Sequence, residues 1–435
     1  VTGVPAIADT LQRSARTRQQ QAAVRLCFNP GVIDQRIVVR STVLLAGALA
    51  CLSGMVQLVV ALGTVTVVLA TGVEGVLGLG PAVFLIAGAL VALPAGRAMD
   101  SHGRVPVLAA GCCAGIAGCL LCAAGAAARS SVLVLAGFVL VGVASGTVLL
   151  ARAAAADLYP PARRAQGISR VLFGALFGAA LGPLVFRPLL AGRELNLASL
   201  VVPYLAAAAM MLVGLALVLA VRPEPKLLAE RFREPGDERL PAAPLREILS
   251  RPGAGVAVLA SVASFAVMVS VMNLSGYVIV GHGHPGEDVF TVISWHIVGM
   301  YSLVLVIGNL IDRVGRRPSL VWGLAIMAVS TLGLGWAESI AASSLCLFGI
   351  GLGWNVSYVA AAAELTQIAS PAERGRLIGF TDLVCGFAGA SLALMGGVVY
   401  TALGVVVLAA AASALAALPA AWIVIRRVPL VAAAG

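Results

Sequence analysis

The sequence predicts an all-α integral membrane protein, with twelve transmembrane helices in two pseudo-symmetric six-helix bundles. Three observations carry that prediction. Sixty per cent of the 435 residues are hydrophobic and 11% are charged, with a mean hydropathy of +1.02; a water-soluble chain of this length would be left with large exposed apolar surface. Apolar runs recur at about 20 residues or more, the length a helix needs to cross the hydrocarbon layer. Finally, G-x-x-x-D-x-x-G-R occurs twice, as GRAMDSHGR from Gly96 and GNLIDRVGR from Gly308, at an offset of 212.

In chain order, a basic tail (1–40) leads into spans near 41–68, 78–98, 105–128, 131–156, 167–190 and 198–221, which make the first bundle (41–221). A polar, Pro-rich linker (222–252) follows. The second bundle (253–426) has spans near 253–280, 289–311, 318–337, 340–363, 377–400 and 403–425, and residues 427–435 form a short tail. GISRVLFG (167–174) and GFTDLVCG (379–386) align at the same offset of 212, so the two halves are repeats of one unit.

Twelve spans put both termini on one side. Of 29 Lys and Arg, only Arg129, Arg187 and Arg193 fall on loops of the other side. The positive-inside rule therefore predicts cytoplasmic termini in the cell's inner (plasma) membrane. It also accounts for the net charge of +10 without nucleic acid: the basic tail is expected to face anionic lipid. No cleavable signal peptide is evident before the first span. Seven of eight cysteines lie in predicted spans, Cys119 and Cys122 as a CxxC, and read as small buried apolar groups with no disulfide framework.

The repeated motif suits a latch. Gly96, Gly103, Gly308 and Gly315 permit tight turns, while Asp100 and Asp312 can cap a helix or meet Arg104 and Arg316. In the aligned octets Arg170 occupies the place of Asp382, which predicts that Asp382 faces Arg97 or Arg104 across the halves and Arg170 faces Asp312. Asp157 falls at the same end of the fourth span. A P-loop requires G-x-x-x-x-G-K-[ST], and the only lysine, Lys226, has no such context. The protein is expected to run on gradients, to be no enzyme, to need no cofactor and to act as a monomer.

The Gly-Asp-Gly-Arg motif after the second and eighth spans resembles the signature of the major facilitator superfamily, whose members rock two bundles about a central site. The likeness covers the whole membrane part.

Two pairs could bind a metal. Met268 and Met272 on the seventh span, and His296 and Met300 on the eighth, are each spaced i, i+4, so each pair shares one helix face, at matched depth. Thioethers and an imidazole form a soft, uncharged set that selects Cu(I). An ionisable residue inside a span is a functional candidate, although methionines also fill packing gaps and a histidine can simply hydrogen-bond a neighbouring helix. MxxxM with HxxxM resembles the CcoA-like copper importers, as do ARAAAADLYPPARR (151–164), GISRVL, GAALGP (178–183), GWNVSYV (353–359) and ERGRLIGFTDLV (373–384). That resemblance implies copper as transported substrate. SLVLVIG after Tyr301 departs from the Pro-Ser-Phe usual in the branch, and the branch also contains riboflavin carriers.

Between the two spans, GHGHPGED carries His282 and His284, which could gather metal at the mouth or simply form a polar turn. Asn273, Trp295, Trp354, Asn355 and Tyr358 could line a cavity, and Trp354, Asn355 and Tyr358 could bind an organic nutrient instead. A third reading is proton-coupled efflux of small organic compounds, suggested by GAALGP; against it, no carboxylate falls near the middle of a span, since Asp157, Glu364 and Asp382 lie near one end and Glu74 near the other.

Overall fold

A computed structural model describes residues 35–73, 76–159, 164–231, 243–369 and 373–426. The tail before Gln35, Glu74, part of the linker, residues 427–435 and the side-chain surroundings of Asp100, Gly308 and Asp312 lie outside the described residues.

The first half comprises α1 (Gln35–Thr71), α2 (Leu79–His102), α3 (Arg104–Ala128), α4 (Ser131–Val148), α5 (Ala151–Asp157), α6 (Arg164–Leu181), a π turn (Gly182–Phe186), α7 (Arg187–Leu190) and α8 (Leu197–Leu219). Two short helices, α9 (Pro225–Arg231) and α10 (Leu245–Ser250), belong to the linker. The second half comprises α11 (Ala254–Gly281), α12 (Asp288–Tyr301), α13 (Val304–Val314), α14 (Arg316–Gly333), α15 (Ile340–Ile368) and α16 (Arg374–Arg426). No strand occurs among the described residues.

Ten of the described segments are long and apolar enough to cross a bilayer. Twelve passes result because Leu377–Ile425 holds two and because the eighth is cut into α12 and α13, neither long enough to span alone. Gly404, at φ 83°, turns the chain inside α16 close to the predicted loop. Pro183, lacking an N–H, sits where α6 gives way to the π turn within the fifth pass. At 37 residues, α1 rises about 55 Å, more than a ~30 Å hydrocarbon core needs, so its first turns stand outside the apolar layer.

Between α2 and α3, Gly103 has φ 97°, and between α13 and α14, Gly315 has φ 94°. That conformation favours glycine, and it lets each following helix start at Arg104 or Arg316. The sequence placed Gly103 and Gly315 in such turns; Gly96 and Gly308, also expected to permit turns, lie inside α2 and α13 instead, where helical hydrogen bonding continues. We call the side carrying both motifs the motif face.

Within the halves, helices approach through small residues, the usual device where lipid removes the hydrophobic drive. A Cβ on Gly88 of α2 would lie 3.1 Å from the Gly142 carbonyl of α4. Between the halves, α1 meets α11 and α12, α6 meets α12, and α2 meets α16.

Candidate functional site

At the motif face the two repeats form matching ion pairs. Arg104 Nε donates to Asp157 Oδ2 at 2.7 Å, and Arg316 Nη1 donates to Glu364 Oε2 at 3.0 Å. Each motif arginine thus reaches the carboxylate at the end of the fourth pass of its own half. The Glu224 carboxylate also caps α3, accepting from the backbone N–H of Arg104 and Val105, where the positive end of the helix dipole favours an anion.

Asp382 pairs with neither Arg97 nor Arg104. Arg152 Nη2 of α5 donates to its Oδ2 at 3.0 Å across the halves, and Tyr358 Oη of α15 donates to its Oδ1 at 2.8 Å. Arg104 was the wrong partner because Asp157, in its own half, already holds it. Arg170 bonds Tyr159 Oη at 3.2 Å and lies over that ring, keeping its contact inside the first half. Asp312, its expected partner, lies outside the described side chains.

Arg152, Asp382 and Tyr358 line a cavity of about 310 Å³ between the halves, with Ile168, Ser261 and Leu365. From Arg374 to Asp382 the helix rises about 12 Å, so this carboxylate lies two turns inside the motif face. Counted from Leu377, where the apolar segment begins, it is five residues in, in keeping with the end-of-span placement expected from sequence. Tyr358 is the aromatic residue of that lining, and Trp354, outside the lining, stacks on it with centroids 5.1 Å apart and planes at 19°. Tyr301 meets Trp354 edge-on at 6.3 Å, and Phe265 meets Tyr358 at 6.3 Å. Trp354 Nε1 is buried without a hydrogen-bond partner.

Away from the motif face the halves close. Gln57 Nε2 of α1 donates to Ser294 Oγ of α12 at 2.7 Å, and Thr64 Oγ1 donates to the Asn273 carbonyl of α11 at 3.0 Å. Gly276 of α11 presses against the Ala61 carbonyl of α1, where a Cβ would collide. Farther out, Arg187 Nη2 donates to Asp288 Oδ1 at 3.3 Å. The cavity therefore sits on the motif side of a sealed partition.

His296 is fully buried. Its Nδ1 lies 2.7 Å from the Leu347 carbonyl of α15, which can only accept, so Nδ1 carries the proton. Nε2 is then an acceptor, buried and without a hydrogen-bond partner. Met268 and Met300 are buried too, and Met272 is half-buried. α12 lies close against α15 through Gly299 and Gly351, so His296 points into its own half. Met268 and Met272 belong to α11, which packs chiefly on α16 and α15 and only lightly on α12.

On the opposite face, His284 Nε2 contacts the Glu338 carbonyl at 2.6 Å, tying two loops together, while His282 ends α11 in an exposed position. Among the described residues no three His, Cys, Asp or Glu side chains converge as a metal site. Asn273 and Asn355 are buried; Asn273 Nδ2 donates to the Val269 carbonyl of its own helix at 2.7 Å. Trp295 is 51% exposed on the bundle exterior, suited to an interfacial anchor. Cys112, Cys119 and Cys122 are buried, free thiols.

Sequence reasoning missed Arg152, Gln57, Ser294 and Tyr301 as site residues. Arg152 and Gln57 had a signal, each being polar inside an apolar span. Ser294 and Tyr301 had none, because serines and tyrosines are common in such helices.

Two bundles meeting at a sealed partition, with a cavity beneath it and paired latches at the motif face, define a membrane transporter. The profile of the Major Facilitator Superfamily matches residues 43–299 and 287–434, and the chain belongs to that family. It is 30% identical over 336 residues to the uncharacterized MFS-type transporter YdeG of Bacillus subtilis, covering 75% of this chain and 78% of that one. It is also 30% identical over 296 residues to the riboflavin transporter RfnT of Brucella anthropi, covering 68% and 73%. The fold is similar to a partially occluded inward-open xylose transporter XylE from E. coli, with a TM-score of 0.69 at 16% identity over 91% of this chain and 99% of that one.

Proposed function

We propose that the chain imports a flat aromatic organic nutrient of the riboflavin type across the plasma membrane, by alternating access, with the motif face cytoplasmic. The observation that carries this reading is the Trp354–Tyr358 stack beside the cavity, flanked by Tyr301 and Phe265. Aromatic pairs contribute about 0.5–1.5 kcal/mol each beyond area burial, enough in combination to hold a ring system. The likeness to a riboflavin transporter supports the same class. The basic motif face fits a cytoplasmic position, and the monomer suffices because the cavity is complete within one chain.

Copper import is a second reading, favoured by the buried, unpartnered Nε2 of His296 with Met300 one turn on. An imidazole whose other nitrogen bonds a backbone carbonyl is the arrangement metal-ligating histidines adopt. Both readings are tested in one bacterial host lacking riboflavin uptake. The chain is expected to confer saturable uptake of labelled riboflavin, and Trp354→Ala with Tyr358→Ala to reduce it at least ten-fold, while His296→Ala retains it. Copper uptake that depends on His296 and Met268, with no riboflavin uptake, would replace the first reading by the second.

A further inference from the structure

We propose that Gln57 is a specificity-determining residue, whose carboxamide reads a cyclic imide or lactam edge, a C=O beside an N–H, on the transported ring. This deepens the aromatic-nutrient reading and rests on it.

Gln57 is fully buried, on the helix of the first half that touches both α11 and α12 of the second. Its Nε2 donates to Ser294 Oγ at 2.7 Å and lies 3.4 Å from the Phe290 carbonyl and 3.5 Å from the Ala179 carbonyl. Those carbonyls can only accept, which fixes the amide's orientation and turns Oε1 away from them. Oε1 is buried and has no hydrogen-bond partner. A carboxamide kept in an apolar interior with its acceptor unmet is poor packing, since Leu or Met would fill the same volume without a stranded polar atom.

The surroundings are shaped for this side chain. A Cβ at Gly182 would come within 2.5 Å of Gln57 Cδ and 2.7 Å of Nε2. The π turn at Pro183 starts at that glycine, and π turns concentrate at functional sites. Ser294 does not depend on Gln57, because its Oγ lies 2.7 Å from the Phe290 carbonyl of its own helix, besides 2.6 Å from the Ala179 carbonyl of the first half. When the halves part on this side, Gln57 can therefore leave Ser294 without stranding it. The amide then offers a donor and an acceptor side by side, complementary to an acceptor and donor side by side on a ring.

Position agrees. Ser294 and Tyr301 are seven residues apart on α12, two turns along one face, or about 10 Å. Tyr301 meets Trp354, so one helix face runs from the Gln57 clasp to the aromatic cluster that ends at Tyr358 on the cavity, a length that suits a fused tricyclic ring. Reforming the Gln57–Ser294 bond as the solute departs toward the motif face would reseal the partition.

Labelled riboflavin uptake is measured with excess unlabelled riboflavin or N3-methylriboflavin as competitor, the methyl group removing the imide N–H. In the wild type the methylated compound is expected to compete at least ten-fold less well. Gln57→Leu is expected to raise KM for riboflavin about ten-fold and to abolish the discrimination; Gln57→Glu, closer in shape, should keep the fold and alter the ratio in the same direction. Equal competition in the wild type, or discrimination that survives in both variants, would overturn the proposal while leaving aromatic-nutrient import intact. If the wild type shows no saturable riboflavin uptake, both fall together.

Discussion

Asp382 holds the halves together at the level of single atoms. One oxygen takes Arg152 from the other half and the second takes Tyr358 from its own. Both charged side chains are about one third exposed, at 32% and 30%, so solvent screens them and the full cost of breaking a buried pair does not apply. Removing one partner should still leave a charge in a narrow, apolar-walled space. Arg152→Gln and Asp382→Asn are each expected to reduce uptake about ten-fold, and Arg152→Asp combined with Asp382→Arg to recover part of it. Uptake in the exchanged double mutant no better than in either single mutant would show that the charges act separately. The residue type was legible here, since the sequence marked Asp382 as a partner across the halves. Its partner was not, because an internal repeat relates positions within each half and says nothing about which positions meet between halves. His296 is similar: a histidine inside a span was legible as special, while its bond to the Leu347 carbonyl leaves no trace in residue identity.

Among the elements, the eighth pass shows what packing adds to pattern. Its sequence reads as one apolar run, yet it breaks at Ser302 and Leu303, just after Tyr301. α12 is fixed against α15 by Gly299 and Gly351, each facing backbone of the other helix. A side chain at 299 would meet the Phe348 carbonyl and the Leu352 N–H, which cannot move aside as a flexible side chain can. Gly299→Leu is expected to lower the detergent Tm markedly, with a cost of about 2 kcal/mol or more, and to disturb the His296 bond to Leu347. Gly255→Ala, with nothing within 4 Å, should leave Tm unchanged. Equal melting of the two variants would mean that the α12–α15 approach is not set by Gly299. Pattern located the passes because length and hydropathy are local properties, although α1 begins six residues before its predicted start and α15 ends five residues after its predicted end. It placed the break between the last two passes close to Gly404, but could not show the π turn, since that depends on φ, ψ and neighbours.

Across the whole molecule, transport requires that sealing one face be linked to opening the other. The sealed side rests on close backbone approach: Gly276 against Ala61, and the contact of α2 with α16 near Gly78 and Gly397. These contacts add no charge or long side chain to the partition, so they can form and part repeatedly at small cost. A bulky side chain at 276 should act on the equilibrium between the two states more than on the fold of either half, because each half has its own packed interior and Gly276 faces the other one. A shift of about 5.5 kcal/mol moves a two-state population from 1:99 to 99:1, and a collision with backbone can approach that value. Gly276→Leu is therefore expected to disfavour the sealed partition, leave Tm within a few degrees of the wild type and abolish uptake. With Cys27 and exposed Cys113 replaced by serine, a cysteine in place of Ala362 on the cavity wall should then react at least ten-fold more slowly with an impermeant maleimide applied from the motif face, because that face closes as the other opens. Unchanged labelling together with lost uptake would place the effect of Gly276→Leu on solute binding, and the link between the partition and the motif-face cavity would have to lie elsewhere than at the α1–α11 contact.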